Sequence, residues 1–394
     1  MQRFKFFICL LLIGIVSISN TQAKQLSEQS AVSLLTCSPG EELYSHFGHS
    51  ALRFHDPLNK IDLVFNYGTF NFNTPNFYMK FARGKLKYRL AFSSYQQFLP
   101  EYIVSGQGVT EQILNLDLDS RRKLFQAVIE NYKPENRYYH YDFLFDNCST
   151  RIRDIIEANI NGKIIYKENT DKPKNFWNLL DHFMEQSRWI YLGIHLILGS
   201  PCDIDASPYQ YMFLPDNMMY AFADATVLNM DERVPLVSHT KEVLKPTLDY
   251  KMTEWYKRPG FIFGLFSLII LLISIRTLTS KRNYFIIDHV FFGATGIVGW
   301  VIVFLWFFTD HQATGPNWNI LWALPFFFPV SNILLIMKNI TSYIFFYTSS
   351  ILLLIILATW PIIPQSLPNE ILPIVTLLFI RSIYIIKKLK INLV

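Results

Sequence analysis

The sequence predicts an exported α+β domain followed by an all-α membrane bundle of five transmembrane helices. Three observations carry that reading. Residues 1–23 have the form of a signal peptide: Arg3 and Lys5, an apolar core over 6–16, and Thr21-Gln22-Ala23 as a small-residue cleavage site. From residue 24 to about 257 the composition is that of an ordinary soluble domain, expected to be the periplasmic catalytic unit. Over 258–394 the chain turns apolar, with segments at 260–279, 286–308, 318–337, 343–360 and 371–386. Each is close to the ~20 residues that a spanning helix needs. That uneven distribution explains how a 394-residue chain reaches 51% hydrophobic residues and a mean hydropathy of +0.20.

Flanking charges give an orientation. Arg276, Lys281 and Arg282 follow the first apolar segment, Lys338 the third, and Lys387, Lys388 and Lys390 the fifth, while 309–317 and 361–370 carry no Lys or Arg. The positive-inside rule then puts those two loops in the periplasm and the C-terminus in the cytoplasm, as expected for a bacterial inner-membrane protein. The net charge of +5 is modest, and no basic tract is interleaved with aromatics, so no nucleic acid partner is expected.

Within the exported part, 47–54 reads as a strand, 56–59 as a turn and 61–67 as an alternating second strand. A turn centred on Pro57-Leu58 places His49 opposite Asn66, and directly opposed residues share a face of the sheet. A slip of a residue would bring Tyr67 beside His49 instead. The stretches 85–92 and 108–116 read as a further hairpin, and 119–132 as a helix. The organising stretch is 141–154. There an apolar-aromatic run stops at Asp146-Asn147, and Ile152, Ile155, Ile156 and Ile160 follow at helical spacing. Asn147 is suited to cap that helix. Cys148 therefore starts a helix, where unpaired N–H groups, the macrodipole and the nearby Arg151 and Arg153 favour a thiolate. The plain alternative is a buried structural cysteine.

A thiolate nucleophile needs a base, and nine histidines compete. His195 lies in an apolar helix and His289 in a membrane segment beside Asp288; most others sit in ordinary surface sequence. His46 and His49 flank Phe47-Gly48, and spacing alone does not choose between them. His49 belongs to the alternating pattern and has Asn66 across from it, which favours it as the base. No CxxC or HxxxH pair supports a metal, and no cofactor is expected. Cys9 leaves with the signal, so Cys37, Cys148 and Cys202 remain. An odd count in an oxidising compartment suggests one bridge and one reactive thiol. Cys37 before Pro39-Gly40 and Cys202 after Gly199-Ser200-Pro201 are the expected disulfide.

A histidine 99 residues ahead of an Asn-Cys helix start resembles the circularly permuted papain-like order of lecithin:retinol acyltransferase-type and NlpC-like enzymes. Further, Leu35-Thr36-Cys37-Ser38-Pro39-Gly40, Phe47-Gly48-His49-Ser50-Ala51-Leu52-Arg53, Asn66-Tyr67-Gly68-Thr69-Phe70, Tyr141-Asp142-Phe143-Leu144 and Asp146-Asn147-Cys148-Ser149-Thr150-Arg151 resemble the Lnb lipoprotein N-acyltransferases of Bacteroidetes-type bacteria. That family is similarly built of an exported N-terminal domain and a five-helix membrane domain. The resemblance implies a phospholipid acyl donor in the bilayer and, as acceptor, the free α-amino group of a diacylglyceryl-cysteine lipoprotein. It implies Cys148 as nucleophile and His49 as its base; Asn66 as third member rests on the hairpin register. Arg151, Tyr67, Asp310 and His311 are the candidate substrate contacts. Two other readings stay open: a membrane-anchored cysteine peptidase or amidase acting on cell-wall peptides, and a non-enzymatic sensor or scaffold. The first expects a single anchor rather than five spans, and the second expects Cys148 to resist thiol reagents.

Overall fold

The structure is a computed structural model that describes residues 25–167, 172–229, 232–248, 252–280 and 285–393. The expected signal peptide with Cys9, and the flanking cations Lys281 and Arg282, lie outside the described residues. The exported part runs β1 (Ala31–Cys37), β2 (His49–Asp56), β3 (Ile61–Thr69), α1 (Phe77–Ala82), β4 (Lys87–Ser94), α2 (Tyr95–Ser105), β5 (Val109–Leu114), α3 (Leu118–Tyr132), β6 (Tyr138–His140) and α4 (Cys148–Asn159). It continues through β7 (Lys163–Ile165), β8 (Lys174–Asn175), α5 (Phe176–Met184), α6 (Arg188–Ile197), β9 (Asp205–Ala206), α7 (Pro208–Tyr211), α8 (Pro215–Asp224), β10 (Thr226–Asn229), β11 (Glu232–Pro235) and β12 (Val237–Leu244). Seven strands form one antiparallel sheet in the order β12-β5-β1-β2-β3-β4-β6.

Helices cover both faces of this sheet. Leu52, Phe54, Phe65 and Tyr67 share one core with Leu124 and Val128 of α3 and Ile152 and Ile156 of α4. Leu35, Cys37, Ala51 and Val64 share another with Phe98 and Tyr102 of α2. Each large apolar side chain fully removed from water contributes about 1.5–3 kcal/mol. Burial on two faces is why the central strands carry apolar residues almost continuously.

Two strand expectations are corrected. The pairs Leu52↔Phe65, Arg53↔Val64 and Asp56↔Ile61 enclose a loop at 57–60, so the turn is centred later than Pro57-Leu58 and the register shifts by two residues. The cause is local. The Asp56 carboxylate accepts the Asn59 and Ser27 N–H groups at 3.2 and 2.7 Å, and Lys60 closes the loop with a left-handed φ of 55°. A slip of two keeps every side chain on its face, whereas a slip of one would not. Likewise β4 and β5 are not a hairpin. The α2 helix intervenes, and the two strands pair with different neighbours.

Among the described residues four helices are long and apolar enough to cross a membrane: α9 (Pro259–Thr277), α10 (Ile286–Phe307), α12 (Ile340–Thr359) and α13 (Leu372–Leu393). The expected third span, 318–337, is not one helix. It divides into short turns at Trp318–Leu321 and Pro325–Phe327 and the eight-residue α11 (Val330–Met337). Pro325 and Pro329 lack the N–H that a continuous helix requires, and their rings crowd the preceding turn. The loops at 309–317 and 361–370 rest on the exported domain. Gly199 N–H donates to the Ala313 carbonyl at 2.8 Å, Asn317 Nδ2 to the Leu196 carbonyl at 2.9 Å, Ser366 N–H to Asp203 Oδ1 at 2.8 Å, and Arg188 pairs with Glu370.

Inside the helical bundle, Arg381 of α13 grips Asp288 of α10 through Nε–Oδ1 (2.6 Å) and Nη2–Oδ2 (2.5 Å), and its Nη1 donates to Ser274 Oγ of α9 at 2.7 Å. Both charged side chains are fully buried. Removing one partner strands a charge in a low-dielectric interior, which costs about 3–5 kcal/mol. Arg381→Ala is therefore expected to lower the thermal midpoint in detergent more than the double change Asp288→Leu, Arg381→Met. Equal losses would contradict the stranded-charge account.

Candidate active site

The site begins with the turn before α4. Asp142 Oδ1 accepts the Leu144 and Phe145 N–H groups, both at 2.9 Å, and Asp142 and Asp146 exchange backbone N–H···O bonds of 3.1 and 3.0 Å. This closed loop delivers Asn147 in extended conformation (φ −120°, ψ −168°). Its Oδ1 accepts Ser149 N–H (2.9 Å) and Thr150 N–H (3.1 Å), and its own N–H donates to Thr150 Oγ1 (2.8 Å). Its Nδ2 donates to the carbonyls of Phe143 (2.8 Å) and Phe213 (2.9 Å). One buried amide thus caps the helix and fastens its first turn to two other segments.

Cys148, 9% exposed, is the first helical residue. Its thiol meets the His49 side chain, the Ser50 N–H and the Ser149 hydroxyl, and Ser149 Oγ lies 2.9 Å from Ser50 Oγ. His49 Nε2 is 3.2 Å from Asn66 Oδ1. A carbonyl oxygen can only accept, so Nε2 carries the proton and Nδ1 is left for the thiol. Burial pushes the thiol pKa up, but the His49 charge and hydrogen bond, with the Ser50 and Ser149 contacts, outweigh it and hold the thiol below its ordinary value. Burial also pulls His49 down, while the Cys148 charge and hydrogen bond and the Asn66 contact outweigh it and leave the imidazole above its ordinary value. Each group thus favours the charged form of the other.

The two-residue register shift explains how Asn66 still reaches His49. The two remain on one face as diagonal neighbours rather than direct opposites. Beyond Asn66 the β3–β4 pairing shifts between Asn66 and Thr69, where Gly68 adopts φ +83°. A side chain at Gly68 would be strained by that angle and would lie 3.5 Å from Tyr141 and 3.7 Å from the Cys148 Cβ. Tyr141 in turn stacks on Tyr88 at 4.4 Å.

The other expected site residues are engaged by neighbours of their own. Tyr67 is a core residue, 2% exposed, with its hydroxyl donated to Asn131 Oδ1 at 2.9 Å, so the expected substrate contact is corrected to a structural one. Arg151 is engaged by Asp146 through two 2.6 Å bonds and lies 3.7 Å over the Tyr139 ring. Asp310 and His311 face α1, not Cys148: Asp310 N–H donates to the Arg83 carbonyl at 3.0 Å, and His311 Nε2 is 3.1 Å from the Phe81 carbonyl. His46 is buried beside Phe47, and burial lowers its pKa below the ordinary imidazole value.

The expected Cys37–Cys202 disulfide is corrected as well, since all three described cysteines are free. Cys37 lies in the core under α2, and Cys202 in a separate one with Trp177 and Leu180. Burial drives Cys37 far above the ordinary thiol range despite a hydrogen bond with Tyr102, and pushes Cys202 up to about 12 with help from Asp203 and Asp142. Sequence reasoning missed Ser50, Ser149, Gly68 and Tyr141. Ser50, Ser149 and Gly68 stand one or two places from His49, Cys148 and Asn66, and Tyr141 opens the Tyr141-Asp142-Phe143-Leu144 motif.

Alkylation tests this electrostatic account. Rising pH should switch on Cys148 alkylation below the ordinary thiol range, because the His49 charge and hydrogen bond favour the thiolate. In His49→Ala the alkylation midpoint should move upward, because burial is then unopposed by the imidazolium. An unchanged profile would contradict the pairing. In the native protein one of Cys37, Cys148 and Cys202 should react, and all three after unfolding without reductant.

Two family models match the chain: one described as the Lnb N-terminal periplasmic domain over residues 19–182, the other as the Lnb transmembrane domain over residues 251–391. No curated protein and no solved structure matches it. A periplasmic sheet-and-helix domain joined to a helical membrane part, matched on both sides in this order, places the chain in the Lnb family.

Proposed function

We propose that the protein is a membrane-bound lipoprotein N-acyltransferase working through Cys148, His49 and Asn66. The observation that carries this is the Cys148–His49 contact at a capped helix start in a chain with both Lnb domains. A helix that begins at the cysteine and rests on an antiparallel sheet bearing the earlier histidine is also what a permuted papain-like arrangement would present. In the first half-reaction the Cys148 thiolate attacks an ester carbonyl carbon of a glycerophospholipid. The C–S bond forms, the ester C–O bond breaks, and the His49 imidazolium gives its proton to the departing alkoxide, releasing a lysophospholipid. The Ser149 and Thr150 N–H groups are held by Asn147. That leaves the Cys148 N–H as the helix-terminal donor for the oxyanion. In the second half-reaction the α-amino group of a diacylglyceryl-cysteine lipoprotein attacks the thioester. The C–N bond forms, the C–S bond breaks, and His49 takes the amine proton, restoring the ion pair. Asn66 holds the imidazole in the required tautomer.

Both substrates are lipids, which accounts for the joining of the site to a bundle in the bilayer. Because the loops at 309–317 and 361–370 both rest on the exported domain, α9 runs inward, α10 outward and α12 outward again. Segment 318–338 then crosses as a broken span, giving five crossings of the inner membrane and a cytoplasmic C-terminus. A reporter fused after Val394 should be active only in the cytoplasm; periplasmic activity would refute this topology.

Mass spectrometry of lipoprotein N-termini in cells tests the chemistry. Cys148→Ser should abolish the N-acyl group while membrane insertion persists, since a hydroxyl is far less acidic than the thiol. His49→Ala should slow transfer by about 10²–10⁴-fold, and His46→Ala far less. Normal N-acylation in the Cys148→Ser variant would overturn the nucleophile, and the reverse histidine ranking would overturn the base.

A further inference from the structure

Segment 70–87 joins the site to the membrane. Between Asp62 and Glu101 the chain carries Lys80, Arg83, Lys85, Lys87 and Arg89 and no acidic residue. The short α1 helix within it buries Phe77 but turns Tyr78 (78% exposed), Met79 and Phe81 outward, and Phe72 stands exposed beside it. A helix of a water-soluble domain normally presents polar groups on that face. The end of α1 sits directly on the outer end of α10. Arg83 and Phe81 carbonyls take the Asp310 and His311 contacts, and a Cβ at Gly84 would come within 3.1 Å of the His311 backbone nitrogen. Asp310 lies three residues beyond the last residue of α10, so the outward face of α1 stands at bilayer height. An aromatic row leads from it toward the thiol: Phe77 to Phe70 at 5.7 Å, Phe70 to Tyr88 at 5.4 Å, and Tyr88 to Tyr141 at 4.4 Å, beside Gly68 and Cys148.

We propose that segment 70–87 is an in-plane membrane element that enters the periplasmic leaflet beside α10 and forms the entrance through which a phospholipid acyl chain reaches Cys148. Phe72, Tyr78, Met79 and Phe81 sit among the upper acyl carbons, as aromatic and apolar residues do at membrane interfaces. Lys85 pairs with Asp310 at 4.0 Å, while Lys80 and Arg83 face the phosphate groups of that leaflet and favour anionic lipid. The entrance role rests on the acyl-transfer reading; the membrane contact does not.

Site-directed spin labelling in the full-length protein separates the two. In a Cys148→Ser background, where Cys37 and Cys202 are buried, Met79→Cys carries the label in phosphatidylcholine vesicles with or without phosphatidylglycerol. The label at 79 should collide with oxygen more than with an aqueous nickel chelate, and more so with phosphatidylglycerol. Leu58→Cys, at the far end of the β2–β3 hairpin, should behave as fully aqueous. An aqueous signal at 79 would overturn the proposal, whether or not a lipoprotein acceptor covers that face, and indifference to phosphatidylglycerol would overturn its headgroup half. For the entrance, the combined Tyr78→Ser, Met79→Ser, Phe81→Ser variant should lose transfer from bilayer phospholipid at least tenfold with native Cys148 alkylation. Unchanged transfer would overturn it. Membrane contact at 79 together with an absence of acyl transfer by the protein that keeps Cys148 would instead overturn the reading of function.

Discussion

The cap at Asn147 is the constraint on which the rest of the site depends. A thiol at a helix start gains from unpaired N–H groups only if the first turn is held still, and a helix end of its own accord frays. Here one side chain uses its oxygen on two N–H groups of that turn and its nitrogen on carbonyls from the preceding loop and from Phe213. All of these bonds are buried or half-buried, so losing them would leave several polar groups unsatisfied in a site that water enters poorly. The same residue takes the Ser149 and Thr150 N–H groups out of play, so that the proposed reaction would rest its oxyanion on the N–H of the cysteine itself.

The imidazole has a second, independent support. His49 stands at the start of β2, and Asn66 reaches it diagonally from β3 just before the pairing of β3 with β4 breaks down at Gly68. That irregularity leaves space beside Cys148 where a regular strand would have placed a side chain. Helix α4 belongs to one face of the sheet, while Cys37 and Ala51, on the alternation of His49, belong to the core on the other. The cysteine and histidine meet at the end of the strands, where the sheet no longer separates its two faces. Cys148 is buried there, and His49 and Asn66 are half-buried.

Much of this was legible in the sequence, for reasons of period and punctuation. The helix start at Cys148, its Asn147 cap and the alternation around His49 are local patterns that tertiary contacts did not override. The hairpin register was legible only in parity. Which two residues the turn centres on depended on the Asp56 carboxylate, which a strand pattern does not encode, whereas the face of each side chain depended on alternation alone. What failed were inferences about partners distant in sequence. Tyr67 is a polar group near the motifs, yet Asn131 satisfies it. Cys37 and Cys202 sit in turn-like sequence but end in different cores, and only three dimensions could show that. The third apolar segment was expected as one continuous helix from length and hydropathy, which are blind to Pro325 and Pro329.

The contacts between the exported domain and the membrane loops fix the height of the site above the bilayer. Asn317, Asn319 and Gln365 are almost completely buried, and their amides bond across the boundary to the carbonyls at the end of α6. His195 stacks on Trp177 at 3.7 Å and spans from Asp181 to the Ser366 carbonyl. Buried polar contacts of this kind are specific in geometry, because any sliding leaves donors unpaired in a dry interface. The two parts are therefore held as one body rather than joined by a flexible tether, unlike the mobile arrangement expected of domains with small polar interfaces. With the thiol held at a fixed distance from the membrane, the proposed reaction requires a substrate ester to rise to meet it, and the aromatic row from α1 to Tyr141 is the surface proposed for that rise.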